Sequence, residues 1–195
     1  MDQRVCEFQS IMPIENIPSV LKHGILSNER ALALKPQSVA MQEIQERRDK
    51  KRVPGGLKLH QYANLYFHAR NPMLYKRKDE AARLCVLRIS TEVSNEKGVV
   101  FTDCNAASDY VRFLHPSQWR LLDIAAIFAL DWRHPNDEIA HFRHRSQKCA
   151  EILVPHYVDR KYLVGAYVID AVRLQQLKDL GFDLPIAINS AIFFR

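Results

Sequence analysis

Short apolar segments of β type and helical segments follow one another along this chain without regular alternation. That order excludes a doubly wound sheet, in which strands and helices take turns, and points to an α+β fold. Strand candidates are Phe8–Met12, Ala63–His68, Leu84–Ser90, Val99–Thr102, Glu151–Val154, Val164–Ile169 and Ala187–Phe194. Between them, Ile14, Ile17, Val20 and Leu21 recur at helical spacing before the stop at His23-Gly24. Further helices are expected over 38–52, near Pro72, over Ala106–Leu114 and Asp137–Lys148, and over Ala171–Leu180 ahead of Gly181. At 195 residues the chain fits one domain, 1–195, because two halves would each have a small core.

Glycine is scarce, at six residues, so phosphate recognition cannot rest on a glycine-rich loop. No Walker loop, Rossmann fingerprint or G-x-S-x-G elbow occurs. Charge tells more: 28 Lys and Arg against 22 Asp and Glu give +6 and an isoelectric point near 9.2. A positive field favours anionic partners such as nucleic acid. The cysteines, Cys6, Cys85, Cys104 and Cys149, form no C-x-x-C pair and read as reduced thiols. Without an apolar leader or spanning stretch, a cytoplasmic protein with no membrane partner is expected.

Three segments hold candidate chemistry. In Gln147-Lys148-Cys149-Ala150-Glu151-Ile152-Leu153-Val154-Pro155 a basic helix gives way to a carboxylate at the mouth of an apolar strand. Glu151 is either a strand-end glutamate facing water or a carboxylate held at a pocket's edge by the strand behind it. Pattern alone does not choose. Gln45-Glu46-Arg47-Arg48-Asp49-Lys50-Lys51-Arg52 is a basic run before the turn Val53-Pro54-Gly55-Gly56. It reads as a solvated helix face with pairs such as Glu46–Lys50, or as a phosphate-binding element suited to arginine's planar fork. His60 to Arg70, with Tyr75-Lys76-Arg77-Lys78, interleaves aromatic and basic groups as single-strand binders do. Strand alternation puts Tyr66 and His68 on one face and Leu65 and Phe67 on the other, where they fill a core. His141 and His144 stand three apart, but without H-E-x-x-H or paired cysteines no metal is expected.

Taken in order, IENIPSVLKHGIL, QEIQERRDKKRVPGGLKLHQYANLYFHARNPMLY, VVFTDCNAASDYVRF and KCAEILVP resemble the DarT family of DNA ADP-ribosyltransferase toxins. The second segment is the most specific, with a Q-x-R-R run, a V-P turn, L-H-x-Y, an apolar-Y-F strand and P-M-L-Y. The resemblance implies an ADP-ribosyltransferase-like fold, two packed curved sheets flanked by helices around an NAD+-binding cleft. It further implies transfer of ADP-ribose to a base of single-stranded DNA, and a DarG-like macrodomain antitoxin as partner. By position, Glu151 and Arg48 are the implied catalytic pair. Ser10, Met12, Asn16, Arg48, Tyr62, Tyr66, Phe67 and Met73 are implied around NAD+, with Pro72, Leu74 and Tyr75 beside the cofactor or the DNA approach. Lys50, Lys51, Arg52, Tyr75, Lys76, Arg77, Lys78, Arg143 and Arg145 are the expected guides for the nucleic acid.

Two departures bear on the base. Thymine-modifying members carry Y-H-I-T where this chain has Gln9-Ser10-Ile11-Met12, and T-D-x-H where it has Thr102-Asp103-Cys104-Asn105. Loss of both imidazoles favours guanine over thymine. The alternatives are a nucleic-acid-binding module without catalysis, and a transferase acting on RNA or protein.

Overall fold

The computed structural model describes residues 1–34 and 47–194. Eight strands form one sheet in the order β10-β9-β4-β1-β3-β7-β5-β6. They are β1 (Phe8–Pro13), β3 (Tyr62–Tyr66), β4 (Leu84–Ile89), β5 (Val100–Thr102), β6 (Phe113–Leu114), β7 (Glu151–Pro155), β9 (Leu163–Val168) and β10 (Ile186–Ile188). Among the described residues, only β9 and β10 run parallel. A second, two-stranded sheet pairs β2 (Ile25–Leu26) with β8 (Tyr157–Val158).

The eight-stranded sheet narrows at its centre. β1 and β4 register six residue pairs and β3 and β7 five, whereas β1 meets β3 only at Gln9↔Tyr66. The expected pair of sheets is therefore two four-stranded halves of one sheet that touch at a seam. Aromatic packing bridges it. Phe8 from β1, Phe67 beyond β3 and Phe101 from β5 meet edge to face at centroid distances of 5.2–5.8 Å, all within the main core. Each such pair adds roughly 0.5–1.5 kcal/mol beyond the area it buries.

Helices whose full extent is described are α1 (Ile17–His23), α2 (Asn28–Ala31), α3 (Pro72–Lys76), α4 (Ile124–Phe128), α5 (Glu138–Gln147) and α6 (Ala171–Asp179). Asp137 caps α5 through the Ala140 amide, and Asp170 caps α6 through that of Arg173. Gly24 ends α1 at φ 73°, where a Cβ would stand 2.1 Å from the Val158 carbonyl oxygen. That contact lets the chain turn directly into β2 beside β8. Among the described residues, no helix is long and apolar enough to cross a membrane.

Three expectations need correction. Residues 106–112 form turns rather than a helix, and Phe113–Leu114 is strand β6. Local side chains win the backbone there: Asn105 accepts from the Ala107 amide, Ser108 from Tyr110 and Asp103 from Arg112. The final strand is short, because Ser190–Phe193 turns into a 3-10 helix that buries Ile192 and Phe193. The strand expected over Ala63–His68 stops at Tyr66. Most of the helix expected over 38–52, with its Glu46–Lys50 pair, lies outside the described residues; within it, 47–49 are helical.

Candidate active site

Glu151 opens β7, directly opposite Tyr66 on β3. The apolar run behind it, Ile152-Leu153-Val154, is buried and drives the strand into the core, carrying the carboxylate to 1% exposure. Two donors meet that charge. Arg48 Nη1 lies 2.9 Å from Oε2 and 3.1 Å from Oε1, and the Ala106 amide donates to Oε1 at 3.0 Å. The Glu151 amide donates to Thr102 Oγ1 at 2.9 Å, and the Thr102 hydroxyl donates to the Cys104 carbonyl at 2.6 Å. A buried carboxylate persists only with such partners, and charge-assisted bonds of this kind are the strong ones.

Arg48 owes its place to the turn that follows it. Lys51 donates its amide to the Arg48 carbonyl, Arg52 bridges to Lys58 across the Pro54-Gly55 turn, and the Leu57 amide donates to the Tyr62 hydroxyl at 3.2 Å. A Cβ on Gly56 would stand 2.7 Å from that hydroxyl, so glycine is what lets the tyrosine close the turn.

Burial shifts each neighbouring titratable group toward its neutral form. Burial, and then the Glu151 charge, holds the Tyr66 phenol well above its ordinary range. The same causes push the Cys149 thiol up to about 12. Burial, with Lys148 and Arg70 adding to it, lowers His68 to about 4. Burial also brings Lys148 down to about 8. Its Nζ lies 2.7 Å from the Ile127 carbonyl, 2.8 Å from that of Ala129 and 3.3 Å from His68 Nδ1. The His68 ring stacks on Phe128 at 5.0 Å.

Of the residues expected to act together, Glu151, Arg48 and Tyr66 converge. Met73 lies half-buried against the cluster that holds Tyr66. Others belong elsewhere. Phe67 is enclosed in the aromatic seam and Leu74 in the second core cluster, each at most 1% exposed, so neither ring nor side chain is open to a ligand. Tyr62 is 3% exposed and serves the turn. Gln9 pairs with Tyr66, which pairs with Glu151, so alternation puts Ser10 and Met12 on the opposite face. Met12 there packs on the main core and accepts the Asn16 amide on its sulfur at 3.7 Å. Asn16 and Pro72 stand at the starts of α1 and α3.

The basic residues divide as well. Lys50, Arg52, Lys76, Lys78, Arg143 and Arg145 are exposed, Arg77 pairs with Glu80 at 2.8 Å, and Lys51 turns inward. Tyr75, 47% exposed, meets Trp132 and Phe194 edge to face. Among the described residues, no three His, Cys, Asp or Glu side chains gather as metal ligands.

Sequence reasoning missed four contributors: Gln9, Thr102, the Ala106 amide and Lys148. Gln9, buried, accepts from the Ala69 amide at 2.7 Å and donates to Glu7 at 3.0 Å, fixing the chain just past Tyr66. Its signal was a polar residue within the apolar run of β1. The amide of Ala106 has no signal, since every non-proline residue carries one.

Residues 10–194 match the family model described as "DarT: ssDNA thymidine ADP-ribosyltransferase, DarT". A DNA ADP-ribosyl transferase of Thermus sp. (strain 2.9) is 32% identical over 157 residues, 74% of this chain and 72% of that protein. A DNA ADP-ribosyl transferase–DNA ADP-ribosyl glycohydrolase fusion protein of Thermosipho africanus is 27% identical over the whole chain, which spans 51% of the fusion's length. The structure of Thermus sp. 2.9 DarT in complex with ADP-ribosylated ssDNA superposes with a TM-score of 0.81, at 25% identity, covering 97% of each chain. With the match running from β1 through β7 to the closing 3-10 turn, this chain belongs to the DarT family.

Proposed function

We propose that the chain transfers ADP-ribose from NAD+ to a nucleobase of single-stranded DNA and acts as a toxin. The observation that carries this reading is the buried Arg48–Glu151 pair, with the Ala106 amide on the same carboxylate, at the head of β7 in a DarT-family chain. The relatives' names support the substrate class: two are DNA ADP-ribosyl transferases, one of them fused to a glycohydrolase. That fusion also supports a DarG-like macrodomain as the partner that removes the mark. The whole chain acts as one unit in this reading, since the strand bearing Glu151 and those of both sheet halves share one hydrogen-bonded sheet.

The chemistry follows from a single carboxylate. Breaking the bond between nicotinamide and ribose sends the electron pair to nicotinamide, which leaves neutral, and builds positive charge on the ribose. Glu151 stabilises that charge and grips a ribose hydroxyl more tightly as the charge grows. A base nitrogen then bonds to the ribose carbon, and its proton passes to Glu151 as general base. Arg48, on the carboxylate at 2.9 Å, keeps Glu151 aimed, which reduces the entropic cost of bringing the reactants together. A stacked base cannot reach such a site, hence the single strand.

Guanine is the proposed acceptor, because Ser10 and Asn105 stand where thymine-modifying members carry histidines. Thymine is the second reading, favoured by the description of the family model. Incubation with labelled NAD+ and DNA, RNA or protein, followed by mass spectrometry of the nucleosides, names both the reaction and the base. Label is expected on single-stranded DNA and absent with Glu151→Ala. Full transfer by that variant removes Glu151 from the mechanism, and salt-dependent DNA binding without NAD+ consumption makes the chain a binding module.

A further inference from the structure

The turn that carries Arg48 has a second arm. Lys51 follows Arg48 by three residues and is tied to it through the Lys51 amide and the Arg48 carbonyl, 3.1 Å apart. Its side chain, 24% exposed, folds onto the 106–109 loop, donates to the Ser108 carbonyl and pairs at 3.0 Å with Asp109, itself 87% exposed. Ser108 lies two residues from Ala106, whose amide holds Glu151 Oε1. A closed ring results: Arg48 to the Glu151 carboxylate, carboxylate to the Ala106 amide, the 106–108 loop to Lys51, and Lys51 back to Arg48 along one turn of chain. The other end of the loop is fixed independently, by Thr102 on the Cys104 carbonyl and by the Asn105 amide on the Ser146 carbonyl.

On the proposed activity, we infer that Lys51 is a positioning residue for the Glu151 carboxylate, acting through the 104–108 loop, and not a contact to the DNA backbone. A phosphate contact needs an outward charge, whereas this ammonium already faces a carbonyl and a carboxylate. Asp109, held below its usual range by the Lys51 bond, cancels much of the field Lys51 would present to a polyanion. Without the clamp the loop keeps its ends, at 102–105 and at Arg112 on Asp103, but its middle loses the hold on Ser108, and the Ala106 amide loses its fixed aim at the carboxylate. Catalysis by preorganised donors depends on that aim.

The test compares Lys51→Met, Lys51→Arg and Lys51→Gln in the full chain, the last keeping a donor for Ser108 if the methionine variant fails to fold. Lys51→Met is expected to slow transfer to an oligonucleotide and hydrolysis of NAD+ in the absence of DNA by the same factor, roughly tenfold or more. KM for the oligonucleotide and its salt dependence stay unchanged, and Lys51→Arg recovers most of the rate. The Ala106 amide exchanges with solvent deuterium faster in Lys51→Met. That readout stands even if the wild type labels no DNA, so failure of the proposed activity is distinguishable from failure of the clamp. A raised KM with a flatter salt dependence and an intact kcat returns Lys51 to the DNA-contacting set. Unchanged rates with unchanged exchange at Ala106 overturn the proposal outright.

Discussion

Arg48 and Lys148 are both cations taken out of water, at 6% and 1% exposure, and they differ in what receives them. Arg48 meets a carboxylate, Glu151, at 2.9 Å. Lys148 meets only neutral acceptors: two main-chain carbonyls and an imidazole nitrogen. Guanidinium does not shed its proton at any ordinary pH, so a buried arginine needs a permanent counter-charge. An amine can shed one, and burial, with the Arg70 charge adding to it, lowers Lys148 to about 8. Each therefore suits a different task. The first makes a fixed ion pair aimed by a hydrogen-bonded loop, and the second ties α4 and the chain after it to the residue beyond β3.

The largest effect is expected where the charge pair is split. Arg48→Ala leaves the Glu151 carboxylate buried with one amide donor, costing about 3–5 kcal/mol of stability and two or more orders of magnitude in transfer rate. Pairing Arg48→Met with Glu151→Gln removes both charges and recovers most of the stability but none of the activity. Urea unfolding beside label transfer reads the two effects separately. A stable, inactive Arg48→Ala would mean that the carboxylate finds water or another donor, and the contrast with Lys148 would fail.

Lys148 and His68 answer to pH instead. Lys148 has a folded pKa of about 8 against an ordinary 10.5, so in the window between them the unfolded chain binds the proton and the native protein does not. Its contribution is thus present above 10.5 and lost as pH falls through about 8, amounting to about 3 kcal/mol at most. His68, at about 4 against 6.5, has the same sign: its contribution is complete above 6.5 and lost as pH falls through about 4. As pH rises, the stability of wild type relative to Lys148→Met should increase between about 8 and 10.5, and that relative to His68→Asn between about 4 and 6.5. Flat differences from pH 4 to 11 would show that neither group is held as neutral as its burial requires.

Much of this arrangement could be read from residues alone, and the part that could not has physical reasons. The runs in β1, β4 and β7 announce themselves because apolar and β-branched residues crowd them, and Gly24 marks the end of α1. Residues 106–112 misled because Asn105, Ser108 and Asp103 bind the backbone locally, a competition that apolar periodicity does not record. Glu151 stood out through family resemblance, since burial of a strand-end glutamate depends on partners 103 and 45 residues away in the chain. The resemblance implies Ser10, Met12 and Phe67 around NAD+, and residue pattern alone does not give the register: the period of two along β1 and β3 puts Gln9 and Tyr66 in the row that ends on Glu151.

The outward cations of α5 complete the contrast with the two buried ones. No residue of α5 is buried, and Arg143 and Arg145 stand on it beside exposed Ile139 and Phe142. A cation in water acts on a polyanion through a screened field that fades over about 8 Å at physiological salt. Its contribution is small, additive and sensitive to salt, unlike that of a buried pair. On the proposed activity, Arg143→Gln and Arg145→Gln should each raise KM for a single-stranded oligonucleotide a few-fold and lower the slope of log affinity against log salt by about 0.7. Neither should disturb unfolding by more than about 0.5 kcal/mol. Titrating one oligonucleotide at three salt concentrations measures the slope directly. An unchanged slope in the double variant would place the strand's path away from α5, leaving the exposed basic residues around Lys50, Arg52 and Lys76 to guide it.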